Sequence, residues 1–166
     1  MKPHDITVNI ADGKFNYRVG AIILDAGRIL MARNSDSPFF YTVGGRVRFG
    51  ETAEEAVLRE SYEETNIHFE IDRLAYIHEN FFTFAGDGMS YHEISMFFLM
   101  KPNLLVRDIN LAANFEEEYG DVFLHWLPID ELAEIPLYPE FFKSELSNPS
   151  AELCRFVTRN DVTTRV

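Results

Sequence analysis

The chain has 166 residues, a hydrophobic fraction of 46% and a formal net charge of −12. These values suit one globular domain with a sizeable core and differ from those of disordered chains. The acidic excess argues against a nucleic-acid-binding surface, because such surfaces contact phosphates through Lys and Arg. No apolar run approaches the roughly 20 residues that a membrane helix needs.

The single cysteine and the N-terminal segment predict a cytoplasmic protein. Cys154 has no second cysteine with which to form an internal disulfide. The first ten residues, MKPHDITVNI, lack the basic and then apolar layout of a signal peptide. For a phosphorylated small ligand to bind so acidic a chain, we expect a divalent cation to mediate, because a bound cation reverses the local charge.

The first third of the chain reads as strands and loops. Two strands are predicted at 17–24 and 28–32, joined by an Asp-Ala-Gly turn. A short extended segment follows at 39–43, and the glycine-bearing stretch 44–51 is predicted to be a loop.

A helix is predicted over 52–65. Thr52 and Glu55 form a capping-box pattern, which marks a helix N-terminus. Asn66 follows the last predicted turn, and asparagine tolerates the left-handed conformation that often ends a helix.

The remaining elements alternate between strands and short helices. The sequence predicts a long hairpin at 71–84 and 91–100, a mostly acidic loop at 102–120, a strand at 122–128, a short helix from 129 and a last helix at 139–146 before a tail. Strands on both sides of a central helix indicate a mixed sheet with helices packed on it.

The hexapeptide RESYEE at 59–64 places three carboxylates on one side of the predicted helix. Each helical residue advances by about 100°, so Glu60, Glu63 and Glu64 share a face. Such a cluster is either a solvated acidic surface or part of a metal site, because carboxylate oxygens are the ligands that magnesium prefers.

The residues that precede the helix favour the metal site over the solvated acidic surface. Gly45, Glu51, Arg59, Glu60, Glu63 and Glu64 follow one another in the order G-x5-E-x7-R-E-x-x-E-E. This order resembles the signature of the Nudix hydrolases, and the matching stretch is GRVRFGETAEEAVLRESYEETNI. Ser61 departs from the aliphatic residue usual in that family, which is expected to loosen local packing, and Asn66 replaces the usual glycine.

The resemblance implies an α/β class fold, the Nudix-type α/β/α sandwich with a mixed sheet. It implies a single Nudix domain over 1–166, with a core at about 15–147 and a C-terminal tail of uncertain extent. It also implies a metal-dependent pyrophosphohydrolase that uses Mg²⁺ or Mn²⁺. The expected substrate is a small nucleotide in which a nucleoside diphosphate is linked to another group, X.

By the same resemblance, Glu60, Glu63 and Glu64 are the expected metal ligands, together with the carbonyl of Gly45. Glu51 and Arg59 are expected to support the loop and the helix. The signature stretch, residues 45–67, is called the Nudix box. The general base is expected to be either a glutamate of this box or a later loop carboxylate. The loop candidates are Glu116, Glu117 and Glu118, of which Glu118 is preferred.

Substrate contacts are predicted at three arginines. Arg46 and Arg48 alternate along an extended segment, so both are expected to face one side, and with Arg33 they are candidates for phosphate binding. Two aromatic clusters, at 39–41 and 81–84, are either core residues or stacking surfaces for a base.

The alternative function is a Nudix-like domain that binds or senses a nucleotide and cleaves it weakly or not at all. The intact set of box carboxylates favours the enzyme. Within the enzyme reading, both nucleoside triphosphates and nucleotide sugars remain open as substrates. No nucleic acid and no membrane are expected as partners, and a homodimer is expected only by analogy with the family.

Overall fold

The computed structural model describes residues 4–11, 13–35, 37–84, 88–111, 114–117, 120–159 and 161–166, with the backbone alone described at 114–117 and 120. In these residues the strands are β1 Thr7–Ile10, β2 Gly13–Ile22, β3 Leu24–Asp25, β4 Arg28–Asn34, β5 Phe40–Arg46, β6 Ile71–Thr83, β7 Ser90–Met100, β8 Asn114–Glu117, β9 Gly120–Pro128, β10 Leu137–Tyr138, β11 Cys154–Arg159 and β12 Val162–Arg165. The helices are α1 Ala53–Thr65, α2 Phe142–Glu145 and the 3₁₀ helices Leu104–Asp108 and Ile129–Glu134.

The strands form one mixed sheet in the order β12-β11-β6-β7-β2-β5-β4-β9-β8, with β1, β3 and β10 paired at its sides. The pairs β2–β7, β6–β11 and β5–β10 are parallel, and the others are antiparallel. Strand β5 changes partner along its length: Tyr41 and Thr42 pair with β4, whereas 43–46 pair with β2. Gly44 and Gly45 therefore lie at the end of β5, paired with β2, and the predicted loop begins only after Arg46.

Alternating side chains of the strands build two cores on opposite faces of the sheet. Along β4, Leu30 lies in the core beneath α1, whereas Ile29 and Met31 lie in the core beneath α2. Helix α1 contributes Ala53, Ala56 and Val57 to its core, and α2 contributes Phe142 to the other. This arrangement confirms the predicted α/β sandwich with a mixed sheet.

The central elements agree with the sequence predictions. Helix α1 spans Ala53–Thr65 with Thr52 as its N-cap, and β6 and β7 form the long hairpin. The turn between β3 and β4 has positive φ angles at Ala26 and Gly27, which fits the predicted Asp-Ala-Gly turn. Among the described residues, no helix combines the length and the apolar character that a membrane crossing requires.

The prediction of a mostly irregular, acidic 102–120 segment was wrong in two places. The 3₁₀ helix Leu104–Asp108 begins where the Asn103 side chain accepts a hydrogen bond from the Leu105 backbone N–H. Asn114–Glu117 is a strand because its backbone pairs with β9, a contact that outweighs the low strand preference of glutamate.

Both ends of the chain add strands that the sequence reading missed. The predicted tail contains the β11–β12 hairpin, and β11 pairs in parallel with β6, 78 residues earlier, with Cys154 opposite Tyr76. Strand β1 pairs with β2. The predicted last helix is correspondingly short, because α2 covers only Phe142–Glu145.

Candidate active site

Helix α1 is capped at both ends by the residues from which it was predicted, Thr52 and Glu55 at its start and Asn66 at its end. The Thr52 hydroxyl accepts a hydrogen bond from the Glu55 N–H at 3.1 Å, and the Glu55 carboxylate accepts one from the Thr52 N–H at 2.9 Å. Asn66 ends the helix in the left-handed region, with φ 57°. The helix therefore holds Glu60, Glu63 and Glu64 at defined positions.

Arg59 joins the helix to the preceding loop. Its Nε and Nη2 donate to the two carboxylate oxygens of Glu51 at 2.7 and 2.9 Å, a bidentate pair. Nη2 also donates to the Arg46 carbonyl at 3.2 Å, and Glu51 accepts a further bond from the Arg48 N–H at 2.9 Å. These contacts tie the loop to the helix, as the predicted supporting role of Glu51 and Arg59 requires.

The same arginine contacts two of the three carboxylates. Arg59 Nη1 donates to Glu60 at 2.7 Å and to Glu63 at 3.2 Å. Glu63 is the more exposed of these two glutamates, with 46% of its side chain accessible against 16% for Glu60. The two glutamates therefore lie close together, one at the protein surface and one turned inward.

Two carboxylates of this cluster, Glu60 and Glu64, lie against Gly45 and Gly44. Glu64 Oε1 accepts a hydrogen bond from the Gly44 N–H at 2.9 Å. The Glu60 carboxylate lies so close to Gly45 that a Cβ at that position would be 2.5 Å from the carboxyl carbon. Gly45 must therefore lack a side chain for Glu60 to occupy its place, which gives a physical reason for that glycine.

Burial and ion pairing shift the pKa values of these groups. Burial raises the pKa of Glu60 above its ordinary value and outweighs the opposing effect of Arg59. The pKa of Glu51 is lowered, chiefly by its hydrogen bonds from Arg59. Burial alone would lower the pKa of Arg59, but Glu51 and Glu60 together raise it. Arg59 therefore remains a cation.

The residues present fit a divalent cation by their chemistry. Three carboxylates and the Gly45 backbone supply oxygen ligands, the kind that Mg²⁺ and Mn²⁺ prefer, and the missing Cβ of Gly45 lets the Glu60 carboxylate lie against that backbone. Within the described part of the chain, no three His, Cys, Asp or Glu side chains are already arranged around one ion position. Glu60 and Glu63 contact Arg59 instead, so ion binding requires an exchange of these contacts.

Two of the three predicted phosphate-binding arginines lie beside this cluster. Arg46 Nη1 is 3.7 Å and Arg48 Nε is 3.9 Å from the carboxylate of Asp5, and Arg48 Nη1 is 3.5 Å from Glu63. Arg33 lies elsewhere on the sheet, with its guanidinium 5.1 Å from the centre of the Phe40 ring. The structure thus groups Arg46 and Arg48 but does not bring Arg33 to them.

The predicted general base is only partly described. Glu118 lies outside the described residues, and of Glu116 and Glu117 only the backbone, in β8, is described. A cavity of about 610 Å³ elsewhere in the fold does not contain any of the predicted site residues. Its lining residues are Asp25, Ala26, Arg28, Arg107, Ile109, Leu111 and Trp126.

The sequence reading did not single out Asp5 or the buried polar residues of the opposite sheet face. Asn16 is 1% exposed and donates to Glu93 at 2.7 Å, and His78 is 6% exposed and hydrogen-bonds Thr158 at 2.7 Å. Their partners are 77 and 80 residues away along the chain. No local pattern could therefore have indicated them.

Comparison with known proteins gives this fold and site a family. The family model of the NUDIX domain matches residues 14–145. A MutT-like protein of Streptomyces ambofaciens is 36% identical over 61 residues, which are 37% of this chain and 40% of that relative, so the match spans well under half of its length.

Two solved structures resemble the whole fold. The MutT protein of Bacillus halodurans has a TM-score of 0.63 at 19% identity, and the alignment covers 90% of this chain and 97% of that one. The MutT NUDIX hydrolase of Burkholderia pseudomallei has a TM-score of 0.50 at 25% identity, and the alignment covers 70% and 84%. The predicted family is confirmed: the chain belongs to the Nudix hydrolase family.

Proposed function

We propose that this chain is a divalent-metal-dependent pyrophosphohydrolase that cleaves the diphosphate of a nucleoside diphosphate linked to a group X. One observation carries the proposal: two carboxylates of α1 lie against the glycine loop, Glu60 on Gly45 and Glu64 on the Gly44 N–H, while Glu63 shares Arg59 with Glu60. Carboxylates collected at one place are suited to hold the metal of a metal-bound diphosphate.

In this proposal Glu60, Glu63, Glu64 and the Gly45 carbonyl hold the metal, either Mg²⁺ or Mn²⁺. The bound metal supplies charge neutralisation for the diphosphate and lowers the pKa of a water molecule. The raised pKa of Glu60 supports its place there, because a buried carboxylate gains by meeting a cation. Arg59 and Glu51 act as positioning residues through their bidentate pair.

The general base accepts the proton of the attacking water. Glu118 is the first candidate, with Glu116 and Glu117 as its neighbours, and a box glutamate is the alternative. Replacement of each by glutamine, with the rate measured against pH, distinguishes them, because loss of the base removes the acidic limb of the pH profile.

Arg46 and Arg48 are the proposed phosphate contacts of the substrate. Arg48 Nη1 lies 3.5 Å from Glu63, and Arg46, which directly follows Gly45, shares the carboxylate of Asp5 with Arg48. Arg33 stays a prediction with less support, because it stacks on Phe40 away from this group. The box builds the diphosphate site, whereas the group X is selected elsewhere, so both nucleoside triphosphates and nucleotide sugars remain candidates.

The proposal includes a cytoplasmic setting and small-molecule substrates. A single buried cysteine, Cys154, supports a reducing compartment. A homodimer, and the limits of the single domain at 1–166, remain predictions.

The test is a substrate panel with product analysis. Purified protein with Mg²⁺ is offered nucleoside triphosphates, oxidised nucleotides, ADP-ribose, dinucleotides and nucleotide sugars. We expect cleavage of the diphosphate in one class, with a loss of at least about 100-fold in Glu63→Gln and Glu64→Gln. Glu54→Gln, an exposed glutamate in the first turn of the same helix, is the matched control and is expected to keep full activity.

Near-normal rates in both Glu63→Gln and Glu64→Gln would contradict the assignment of the metal ligands. Absence of cleavage throughout the panel, together with tight nucleotide binding, would favour the alternative nucleotide sensor.

A further inference from the structure

Two arginines project from the sheet face that lies opposite α1. Arg18 and Arg46 are directly paired residues of β2 and β5, so their side chains project from the same face. Their neighbours Val19 and Val47 belong to the core beneath α1, which places the two arginines on the other face. Arg48 lies beyond the end of β5, and its Nη1 is 3.5 Å from Glu63 of α1. Each of these arginines has a carboxylate within 4.0 Å, and Asp5 is the one that Arg46 and Arg48 share.

Asp5 lies between two of these arginines. It forms an isolated antiparallel bridge with Arg48, and its carboxylate is 3.7 Å from Arg46 Nη1 and 3.9 Å from Arg48 Nε. Both separations exceed the roughly 2.7–3.2 Å of an N–H···O hydrogen bond. Asp5 therefore neutralises charge without using the donors of either guanidinium.

Arg46 also has an unused donor inside the protein. Its Nε is buried and has no hydrogen-bond partner in the described part of the chain. Arg107 shows the contrast, because its Nε and Nη2 both bind Asp25 at 3.0–3.3 Å. The buried Nε does not reach a ligand, but the terminal nitrogens of the partly exposed Arg46 side chain can exchange a loosely paired carboxylate for a better-matched anion, and phosphate oxygens match the arginine fork.

The arginine pair adjoins the proposed catalytic carboxylates. Arg46 directly follows Gly45, and its carbonyl accepts a hydrogen bond from Arg59. Arg48 reaches Glu63 at 3.5 Å. An anion bound at Arg48 would therefore lie next to the box carboxylate Glu63.

We propose that Arg46 and Arg48 form a subsite for a phosphoryl group, and that Asp5 is its specificity-determining residue, a carboxylate that occupies the anion position and competes with the ligand. The subsite rests on the proposed function only in the identity of the ligand as a phosphoryl group. Asp5 raises the threshold for binding, so only ligands with enough negative charge to displace it gain contact with both arginines.

The test measures anion binding without turnover. Inorganic pyrophosphate is titrated calorimetrically into the full chain in EDTA at low salt, so that the carboxylates cannot recruit it through a metal. We expect Asp5→Asn to bind pyrophosphate about two- to fivefold more tightly than the unmodified protein, the scale of an exposed ion pair. The gain is expected to vanish at roughly 1 M salt, where charges are screened beyond about 3 Å.

Two further variants separate the subsite from a general charge effect. Asp72→Asn is the matched control, because Asp72 is equally exposed, at 45% against 44%, and also pairs with an arginine. It is expected to leave the affinity unchanged. Arg46→Gln in the Asp5→Asn background is expected to abolish the gain. Equal affinities in Asp5→Asn and Asp72→Asn, or a gain that survives Arg46→Gln, would overturn the proposal.

The result is separable from that of the substrate panel. Pyrophosphate binding tightened by Asp5→Asn, without hydrolysis of any substrate, would support the subsite and reject the hydrolase. Hydrolysis lost in Glu64→Gln, with no effect of Asp5→Asn on pyrophosphate binding, would support the hydrolase and reject the subsite.

Discussion

Two arginine environments lie side by side at the box and differ in how their donors are used. Arg59 donates hydrogen bonds at 2.7–3.2 Å to Glu51, Glu60, Glu63 and the Arg46 carbonyl. Arg46 and Arg48 have their nearest carboxylates at 3.5–3.9 Å.

The difference separates structure from ligand binding. An arginine whose donors are satisfied holds two segments together and leaves little capacity for another partner. An arginine with unused donors contributes little to stability, because exposed and loosely paired charges are worth about 0–1 kcal/mol. The first kind explains how the loop and α1 are positioned, and the second indicates where an anion binds.

The largest expected effect removes the satisfied arginine. Arg59→Ala leaves Glu51 and Glu60 without their main partner, and both carboxylates are largely buried. We expect the free energy of unfolding to fall by about 3–5 kcal/mol in urea denaturation. Arg48→Ala is the matched comparison, with an expected loss below about 1 kcal/mol. Similar losses in the two variants would remove the distinction.

His78, a buried polar residue on the opposite sheet face, gives a second test of how a buried polar group affects the free energy of unfolding. Burial lowers the pKa of His78 from 6.5 to about 4. In the unfolded chain His78 binds a proton below pH 6.5, whereas in the folded chain it binds one only below about pH 4. The free energy of unfolding is therefore highest above pH 6.5, and it falls by about 3 kcal/mol as the pH drops from 6.5 to about 4.

The measurement for His78 is the free energy of unfolding from pH 7 to pH 4, compared between the unmodified protein and His78→Gln. The variant is expected to lose this part of the pH dependence and to keep the part that arises from carboxylates. Parallel pH profiles would show that His78 is protonated in the folded state.

Gly45→Ala tests the catalytic side of the comparison. The new Cβ would lie 2.5 Å from the Glu60 carboxyl carbon, so Glu60 must move. We expect a loss of about 1–3 kcal/mol in unfolding free energy and a fall in hydrolysis rate. In Gly50→Ala the new Cβ meets no atom within 4 Å, so any loss there arises from the φ of +89°, a backbone strain that Gly45→Ala does not carry. Unchanged stability and rate in Gly45→Ala would show that Glu60 does not depend on this glycine.

The smallest expected effect concerns an unsatisfied group within α1. Ser61 is fully buried, and its hydroxyl has no hydrogen-bond partner among the described residues. Ser61→Ala is expected to raise the unfolding free energy by about 1 kcal/mol, because it removes a buried polar group without a partner. Ser144→Ala, whose hydroxyl donates to the Phe141 carbonyl at 3.1 Å, should give no gain. A less stable Ser61→Ala would contradict this reading.

The sequence predicts the box because its determinants are local. The capping pair Thr52 and Glu55, the helix end at Asn66 and the spacing of Glu60 to Glu64 all act within a few residues. The departure at Ser61 was also visible, and the structure gives it a physical form, a buried hydroxyl without a partner.

The remaining features depend on contacts between distant segments. Strand β11 pairs with β6, and Asp5 reaches Arg46 and Arg48, which lie about 40 residues later in the chain. Parallel pairing and ion pairs of this kind leave no periodic pattern in either segment. The strands of the tail and the place of Asp5 therefore became apparent only from the structure, whereas Arg46 and Arg48 were already predicted as phosphate contacts.

The most direct test of the central claim is the effect of Mg²⁺ on thermal unfolding. If Glu60, Glu63 and Glu64 hold a cation, millimolar Mg²⁺ or Mn²⁺ raises the melting temperature of the unmodified protein through linkage. The rise is expected to disappear in Glu64→Gln and to persist in the control Glu54→Gln. An unchanged melting temperature in the unmodified protein, or an equal rise in Glu64→Gln, would contradict a metal site at the box carboxylates.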